Sequence, residues 1–184
     1  MTRESEPAVH FRKATEGDVD RIMEIVADGR AAIRALGLDQ WQGGYPHRGV
    51  IEGDVARGES YLVEDEGVVV ATAMVGFSGE RDYDCIREGA WLTSCTSDDP
   101  CYGVVHRVST AAESRGRGAA VFAMAGAEGL ARERGAASVR VDTHPGNVPM
   151  QRLLERCGYV RCGIILIGHA EGATPERVAF EKLV

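Results

Sequence analysis

The chain has 184 residues, 28 acidic and 21 basic, for a formal charge of −7. That length suits one domain with a sizeable core, and the acidity argues against a nucleic-acid partner, which needs a basic face. No apolar run approaches the ~20 residues of a membrane span, so no membrane partner is expected. Residues 1–7 are polar and read as a flexible N-terminus. Five cysteines, Cys85, Cys95, Cys101, Cys157 and Cys162, form no CxxC pair and no zinc-like spacing. They read as reduced thiols of a cytoplasmic protein, with no metal site.

Residues 9–13 alternate and predict a first strand. Thr15 and Asp18 stand at capping-box spacing. Val19, Ile22, Val26, Gly29, Ile33 and Leu36 follow at three- and four-residue steps, predicting an amphipathic helix that Gly37 ends. The next loop, 39–47, sets Trp41, Tyr45 and two glutamines among glycines. It suits contact with a small ligand; alternatively, Trp41 covers an edge of the core. A short helix is predicted over 50–57. Strands over 60–64 and 68–77, with Glu66-Gly67 between them, make a hairpin. The second is apolar on both faces and should be central. Residues 78–100 have little periodicity; Asp82, Asp84, Asp98 and Asp99 match no calcium loop and read as solvated surface, and Trp91 should pack inward.

An extended run over 104–110 enters the stretch 110–120, Thr-Ala-Ala-Glu-Ser-Arg-Gly-Arg-Gly-Ala-Ala. A helix follows with a narrow stripe of Ala120, Met124, Ala127 and Ala131, closed by Gly135. Gly116 and Gly118, between strand and helix, permit unusual dihedrals and bring bare backbone close to a ligand. The first amides of the helix lack internal partners and carry the positive end of its dipole. Arg115 and Arg117 add formal charge, so the turn is suited to an anion, above all a phosphate. Then come a strand over 138–142, a helix over 147–157 closed by Gly158, and strands over 159–167 and 177–184. The alternation predicts an α/β chain with a mixed sheet and helices on its faces.

Three phosphate sites place glycines at such a turn. A Walker A loop needs Lys-Ser/Thr after its last glycine, but Gly118 precedes Ala119-Ala120. A dinucleotide fingerprint is imitated by Gly116, Gly118 and Asp142, but Val121 stands where its third glycine belongs. The third fits: Glu113-Ser114-Arg115-Gly116-Arg117-Gly118-Ala119 resembles the pyrophosphate turn R/Q-x-x-G-x-G/A of the GNAT superfamily of N-acetyltransferases, with Glu at its first position. Asn147, followed by Leu153-Leu154-Glu155-Arg156-Cys157-Gly158-Tyr159, resembles the second motif of that superfamily at the right distance downstream.

The resemblance implies a single N-acetyltransferase domain over 1–184: a central mixed sheet, helices on both faces, and a splay between two adjacent parallel strands, here 104–110 and 138–142. Acetyl-CoA would lie in the splay. Backbone groups of Val108, Ser109 and Thr110 would pair with its pantetheine arm, and the amides of Arg115, Gly116, Arg117, Gly118 and Ala119 would hold its pyrophosphate. Asn147 would sit near the thiol, with Met150 and Arg152 further along that helix. The amine would attack the thioester directly in a ternary complex, with a backbone N–H near Val108 stabilising the oxyanion. Strand alternation puts His106 on the side of Val108 and Thr110, and imidazole titrates in the useful range, so His106 is the candidate base. It could equally bind substrate or pack in the cleft. The position of the family's usual proton-donating tyrosine holds Leu154. Cys157 has no evident base and is not expected to act as a nucleophile. Trp41, Tyr45 and Arg107 are the acceptor-side candidates, Arg107 as partner for a carboxylate. The expected function is acetyl-CoA-dependent transfer to the amine of a small molecule, an amine or amino-acid-like compound. The alternatives are a protein or peptide N-acetyltransferase and a non-catalytic CoA-binding module. Dimers are frequent in the superfamily, which makes a homodimer an expectation.

Overall fold

The structure is a computed structural model and describes residues 9–168 and 173–184; the flexible N-terminus expected over 1–7 lies outside them. Its strands are β1 (Val9–Lys13), β2 (Ser60–Asp65), β3 (Val68–Gly76), β4 (Tyr102–Thr110), β5 (Ser138–Thr143), β6 (Val160–Leu166) and β7 (Glu176–Leu183). Its helices are α1 (Val19–Ala35), α2 (Arg48–Ala56), α3 (Ala119–Glu133) and α4 (Val148–Arg156). The strands form one sheet in the order β1-β2-β3-β4-β5-β7-β6. Every neighbouring pair is antiparallel except β4 and β5. The doubly apolar β3 lies between β2 and β4, as its lack of a polar face requires.

Neighbouring residues of β2 show that helices cover both faces, because successive side chains of a strand point opposite ways. Leu62 packs with Ile22 and Val26 of α1 and Ile51 of α2. Tyr61 packs with Met124, Ala127 and Ala131 of α3 and Leu154 of α4. The buried stripe of α3 runs through Ala119, Ala123, Met124, Ala127 and Ala131, so Ala119 and Ala123 take the place expected for Ala120. Small side chains let that helix lie close to the sheet.

Residues 78–101 are held by a buried charge together with the apolar packing of Tyr83, Ile86 and Trp91 against the sheet. Arg140 on β5 is wholly buried; its Nε donates to Glu181 Oε1 at 3.0 Å, Nη2 to the Thr93 carbonyl at 2.9 Å and Nη1 to the Cys95 carbonyl at 3.2 Å. Its guanidinium carbon lies 3.9 Å from the Tyr102 ring centre and 4.4 Å from that of Trp91. Trp91 is thus turned inward, as expected.

The reading of five reduced thiols is corrected. Cys95 and Cys101 form a disulfide, their Cα atoms 5.7 Å apart, because the short loop between them folds back beside the start of β4. Cys85, Cys157 and Cys162 are free. No helix among the described residues is long and apolar enough to cross a membrane, and these residues contain no cluster of three or more His, Cys, Asp or Glu placed to hold a metal.

Candidate active site

The parallel rungs between β4 and β5 run from Tyr102 opposite Ser138 to Val105 opposite Val141, and stop there although both strands continue. The strands therefore part at His106 and Asp142. On the other edge β4 stays attached to β3, with Ser109 opposite Thr72 and Thr110 opposite Ala71. Ala111 donates its N–H to Val70 of β3. By alternation the amides of Thr110 and Val108 point the other way, into the gap.

One bulge re-aims this strand. Arg107 has φ 56°, and His106 and Ser109, three residues apart, oppose Met74 and Thr72, two apart. The alternation expected from the sequence therefore fails: His106 shares its face with Ser109, while Val108 packs into the α3 side of the core. The positive φ is held by a clamp. Arg107 donates from Nε to Asp54 Oδ2 at 2.9 Å and from Nη1 to the Tyr45 hydroxyl at 2.5 Å, and its Nη2 lies 2.7 Å from the same Asp54 oxygen. Burial raises the Asp54 carboxyl above its ordinary value, against the pull of Arg107 and Arg57.

A pocket of about 260 Å³ opens at the splay. The 39–47 loop walls one side with Gln40, Trp41 and Tyr45; Arg30 of α1 ties that loop down by donating to the Gly44 and Pro46 carbonyls at 3.1 Å. Glu80 and Tyr83 enter from the 78–101 segment. His106 stands between two carboxylates, Nε2 3.3 Å from Glu80 Oε2 and Nδ1 3.7 Å from Asp142 Oδ1. Tyr83 donates its hydroxyl to that same Asp142 oxygen at 2.8 Å. Burial, and then the adjacent Asp142, push the Tyr83 hydroxyl far above its usual range, so it remains a neutral donor. An imidazole so placed can accept a proton and have the resulting charge compensated.

Past β4 the chain makes the glycine turn. Gly116 and Gly118 have φ 79° and 88°, and a Cβ at either would meet no atom within 4 Å. The amides of Gly116, Gly118 and Ala119 donate to no group of the described residues, while those of Arg115 and Arg117 make long turn bonds of 3.4 and 3.3 Å. Free amides in open space at a helix N-terminus, beside two arginines, fit a pyrophosphate. Helix α1 braces the turn: Arg115 donates to the Asp28 carbonyl at 2.6 Å, Asp28 accepts the Ala112 amide at 2.8 Å, and Arg21 pairs with Glu113 at 2.7 Å.

The family model of the GNAT acetyltransferases matches residues 30–159. The chain belongs to the GNAT acetyltransferase family. A GNAT acetyltransferase of Streptococcus agalactiae is 32% identical, with a TM-score of 0.84 over 96% of this chain and 95% of its own. A GNAT acetyltransferase of Listeria monocytogenes is 19% identical, with a TM-score of 0.70 over 96% and 95%. A ribosomal-protein-alanine N-acetyltransferase of Brucella melitensis is 21% identical, with a TM-score of 0.65 over 95% and 99%; the last two likenesses concern the fold alone. No curated protein matches.

Within this GNAT fold the pocket brings together His106, Trp41, Tyr45, Arg107, Val108, Asn147 and Met150. Ser109 and Thr110 continue along β4 toward the glycine turn; the Ser109 hydroxyl is buried against Gly29 of α1 and has no partner. Asn147 caps α4, its Oδ1 accepting the Met150 amide at 3.3 Å. Arg152 is exposed on α4 and does not reach the pocket. Leu154 is wholly buried in the core, so its position supplies nothing to the cleft. Arg107, expected to meet a carboxylate of the acceptor, is engaged by Asp54 of this chain instead. Sequence reasoning missed Glu80, Tyr83 and Arg177. Asp142 entered it only through motif matching, although its place at the end of the strand parallel to β4 was a usable signal.

Proposed function

We propose that the protein is an acetyl-CoA-dependent N-acetyltransferase whose acceptor is a small-molecule amine. The observation carrying this reading is the walled pocket at the splay, where His106 meets two carboxylates. A volume of about 260 Å³, walled by residues of two loops, suits a molecule of amino-acid size better than a protein segment, which needs an open groove.

Acetyl-CoA supplies the acyl group, with its pyrophosphate on the 115–119 turn and its pantetheine along residues 108–110. The rest falls to this chain. His106 takes the proton of the attacking amine while the C–N bond forms and the C–S bond breaks. The Val108 amide, directed into the gap, stabilises the developing oxyanion. With Leu154 in the core, the departing thiolate takes its proton from water or leaves unprotonated. Trp41 and Tyr45 enclose the acceptor. We read the chain as one domain acting in the cytoplasm.

The test is a panel of amines and peptides incubated with purified protein and acetyl-CoA, with release of free thiol as readout. Turnover of small amines is expected. Turnover confined to peptides would establish the protein-acetyltransferase reading, and CoA binding without turnover on any acceptor would establish a binding module.

A further inference from the structure

Arg177, on β7, lines the same pocket and is only 4% exposed. Its guanidinium is incompletely satisfied. Nη1 donates to the carbonyls of Thr174 and Glu176, the latter at 2.7 Å. Nε stands 3.9 Å from Asp142 Oδ2, too far for a hydrogen bond. Among the described residues Nη2 has no hydrogen-bond partner, and neither Nε nor Nη2 is sealed away. Two N–H edges of one planar cation therefore open on the cavity.

The neighbouring carboxylates among the described residues do not use them. Asp142 directs Oδ1 to Tyr83 and His106. Asp39 accepts the amide and hydroxyl of Thr174 at 2.7 and 2.8 Å and lies 3.3 Å from His144. Asp82 accepts the Gly168 amide at 3.0 Å. Burial lowers the Arg177 pKa against the pull of Asp142 and Asp39, yet an arginine keeps its charge at neutral pH. A buried cation with unused donors is costly unless something fills them, and a guanidinium fork matches a carboxylate. The contrast with Arg107 is direct, since all three of its nitrogens already face Asp54 or Tyr45. Arg177 and His106 also flank the same residue, Asp142, so a ligand bridging them carries its amine and its anionic group a few atoms apart.

We propose that Arg177 reads a carboxylate of the acceptor, so that the substrate is a free amino acid or a close amino-carboxylate, with its amine directed to His106. This rests on the small-amine reading above and narrows it.

The test compares free amino acids with their carboxamides and with the corresponding decarboxylated amines, using acetyl-CoA and thiol release. The wild type is expected to favour the acid by at least about 100-fold in kcat/KM, within the roughly 10⁴–10⁵ by which a site built for a polar group can reject an analogue lacking it. Arg177→Gln should remove most of that preference, the loss falling on the acid through KM and far more heavily than on the carboxamide. Arg177→Lys should restore part of it, and calorimetry should give unchanged CoA affinity in both variants. If the wild type turns over the carboxamide or the decarboxylated amine as well as the acid, the proposal fails while the small-amine reading stands. Equal loss on acid and amide in a folded Arg177→Gln overturns the assignment to Arg177. Turnover of peptides alone, or of nothing, removes both. The wild-type comparison tests the amino-carboxylate substrate even if Arg177→Gln fails to fold, and Arg177→Lys then tests the assignment to Arg177.

Discussion

His106 and Asp142 face each other across the point where β4 and β5 part, with 3.7 Å between Nδ1 and Oδ1. The contact follows from topology: each is the first residue beyond the last parallel rung. A carboxylate at Nδ1 orients the ring and compensates its charge after proton uptake, leaving Nε2 toward Glu80. Distances of 3.3 and 3.7 Å are loose, as is common before substrate tightens a site. His106→Ala is expected to lower kcat/KM by about 10²–10⁴, the usual worth of a general base. The deficit should be largest near neutral pH, where the acceptor amine is protonated, and should shrink as pH rises and the amine loses its proton unaided. A pH–rate profile of the variant checks this; a deficit independent of pH would assign His106 to binding. Asp142→Asn should give a smaller loss and a displaced profile.

At Gly118, φ is 88° and the space around a Cβ is open. The Cβ of a Gly118→Val variant would therefore meet no protein atom, and its main costs come from backbone and ligand. A left-handed conformation costs an ordinary residue about 1–2 kcal/mol, more with β-branching, and the valyl group would stand over the amides that receive the phosphates. The variant should melt several degrees lower than the wild type and show no thermal stabilisation on adding CoA, which binding otherwise guarantees. An undiminished CoA shift would sink the placement of the pyrophosphate.

How much of this was legible beforehand depended on whether a residue's role is local. The helices and the β2–β3 hairpin follow from period and turn chemistry, and the 110–120 stretch announced its glycine turn, because a strand-to-helix glycine pair acts within a few residues. Arg107 was misjudged for the opposite reason. Its partners Asp54 and Tyr45 lie 53 and 62 residues away, and its positive φ breaks the alternation that had aligned His106 with Val108. Glu80 and Tyr83 were hidden in a segment ordered by the Arg140–Glu181 pair, a contact 41 residues apart that leaves no periodic trace. Arg177 read as one more strand residue. Only the fold shows that β7 runs beside β5 and delivers it to the cleft.

The Cys95–Cys101 bond closes a short loop whose first residue is gripped by Arg140 through its carbonyl. Chain-entropy arguments give a loop of this size about 2 kcal/mol. Cys101→Ser should lose roughly that amount in denaturant unfolding under oxidising conditions and nothing once the wild type is itself reduced. Thiol titration of the unfolded, unreduced wild type should find three free cysteines, matching Cys85, Cys157 and Cys162. Finding all five would contradict the bond.

The Arg140–Glu181 pair predicts how stability responds to acid. Burial alone would raise the Glu181 carboxyl, but hydrogen bonds from Ser138, Thr93 and Arg140 outweigh it, and its pKa lies below the ordinary 4.5. A carboxylate depressed in the folded state stabilises that state above its unfolded pKa, and the contribution is lost as pH falls through the folded value. Glu181→Gln keeps the shape but leaves Arg140 without its counter-charge and turns an amide N–H₂ toward backbone donors, including the Thr93 N–H at 3.3 Å. At pH 7 the variant should be less stable by about 3–5 kcal/mol, the cost of breaking a buried pair from one side. Below pH 4.5 the wild type should lose stability more steeply, so that the two denaturation curves converge as pH falls. Asp18, held low by Arg12, contributes its own acid sensitivity equally to both proteins, so the difference between their denaturant midpoints isolates Glu181. A gap that stayed constant from pH 7 to well below 4.5 would show that Glu181 holds the 78–101 segment by shape rather than by charge.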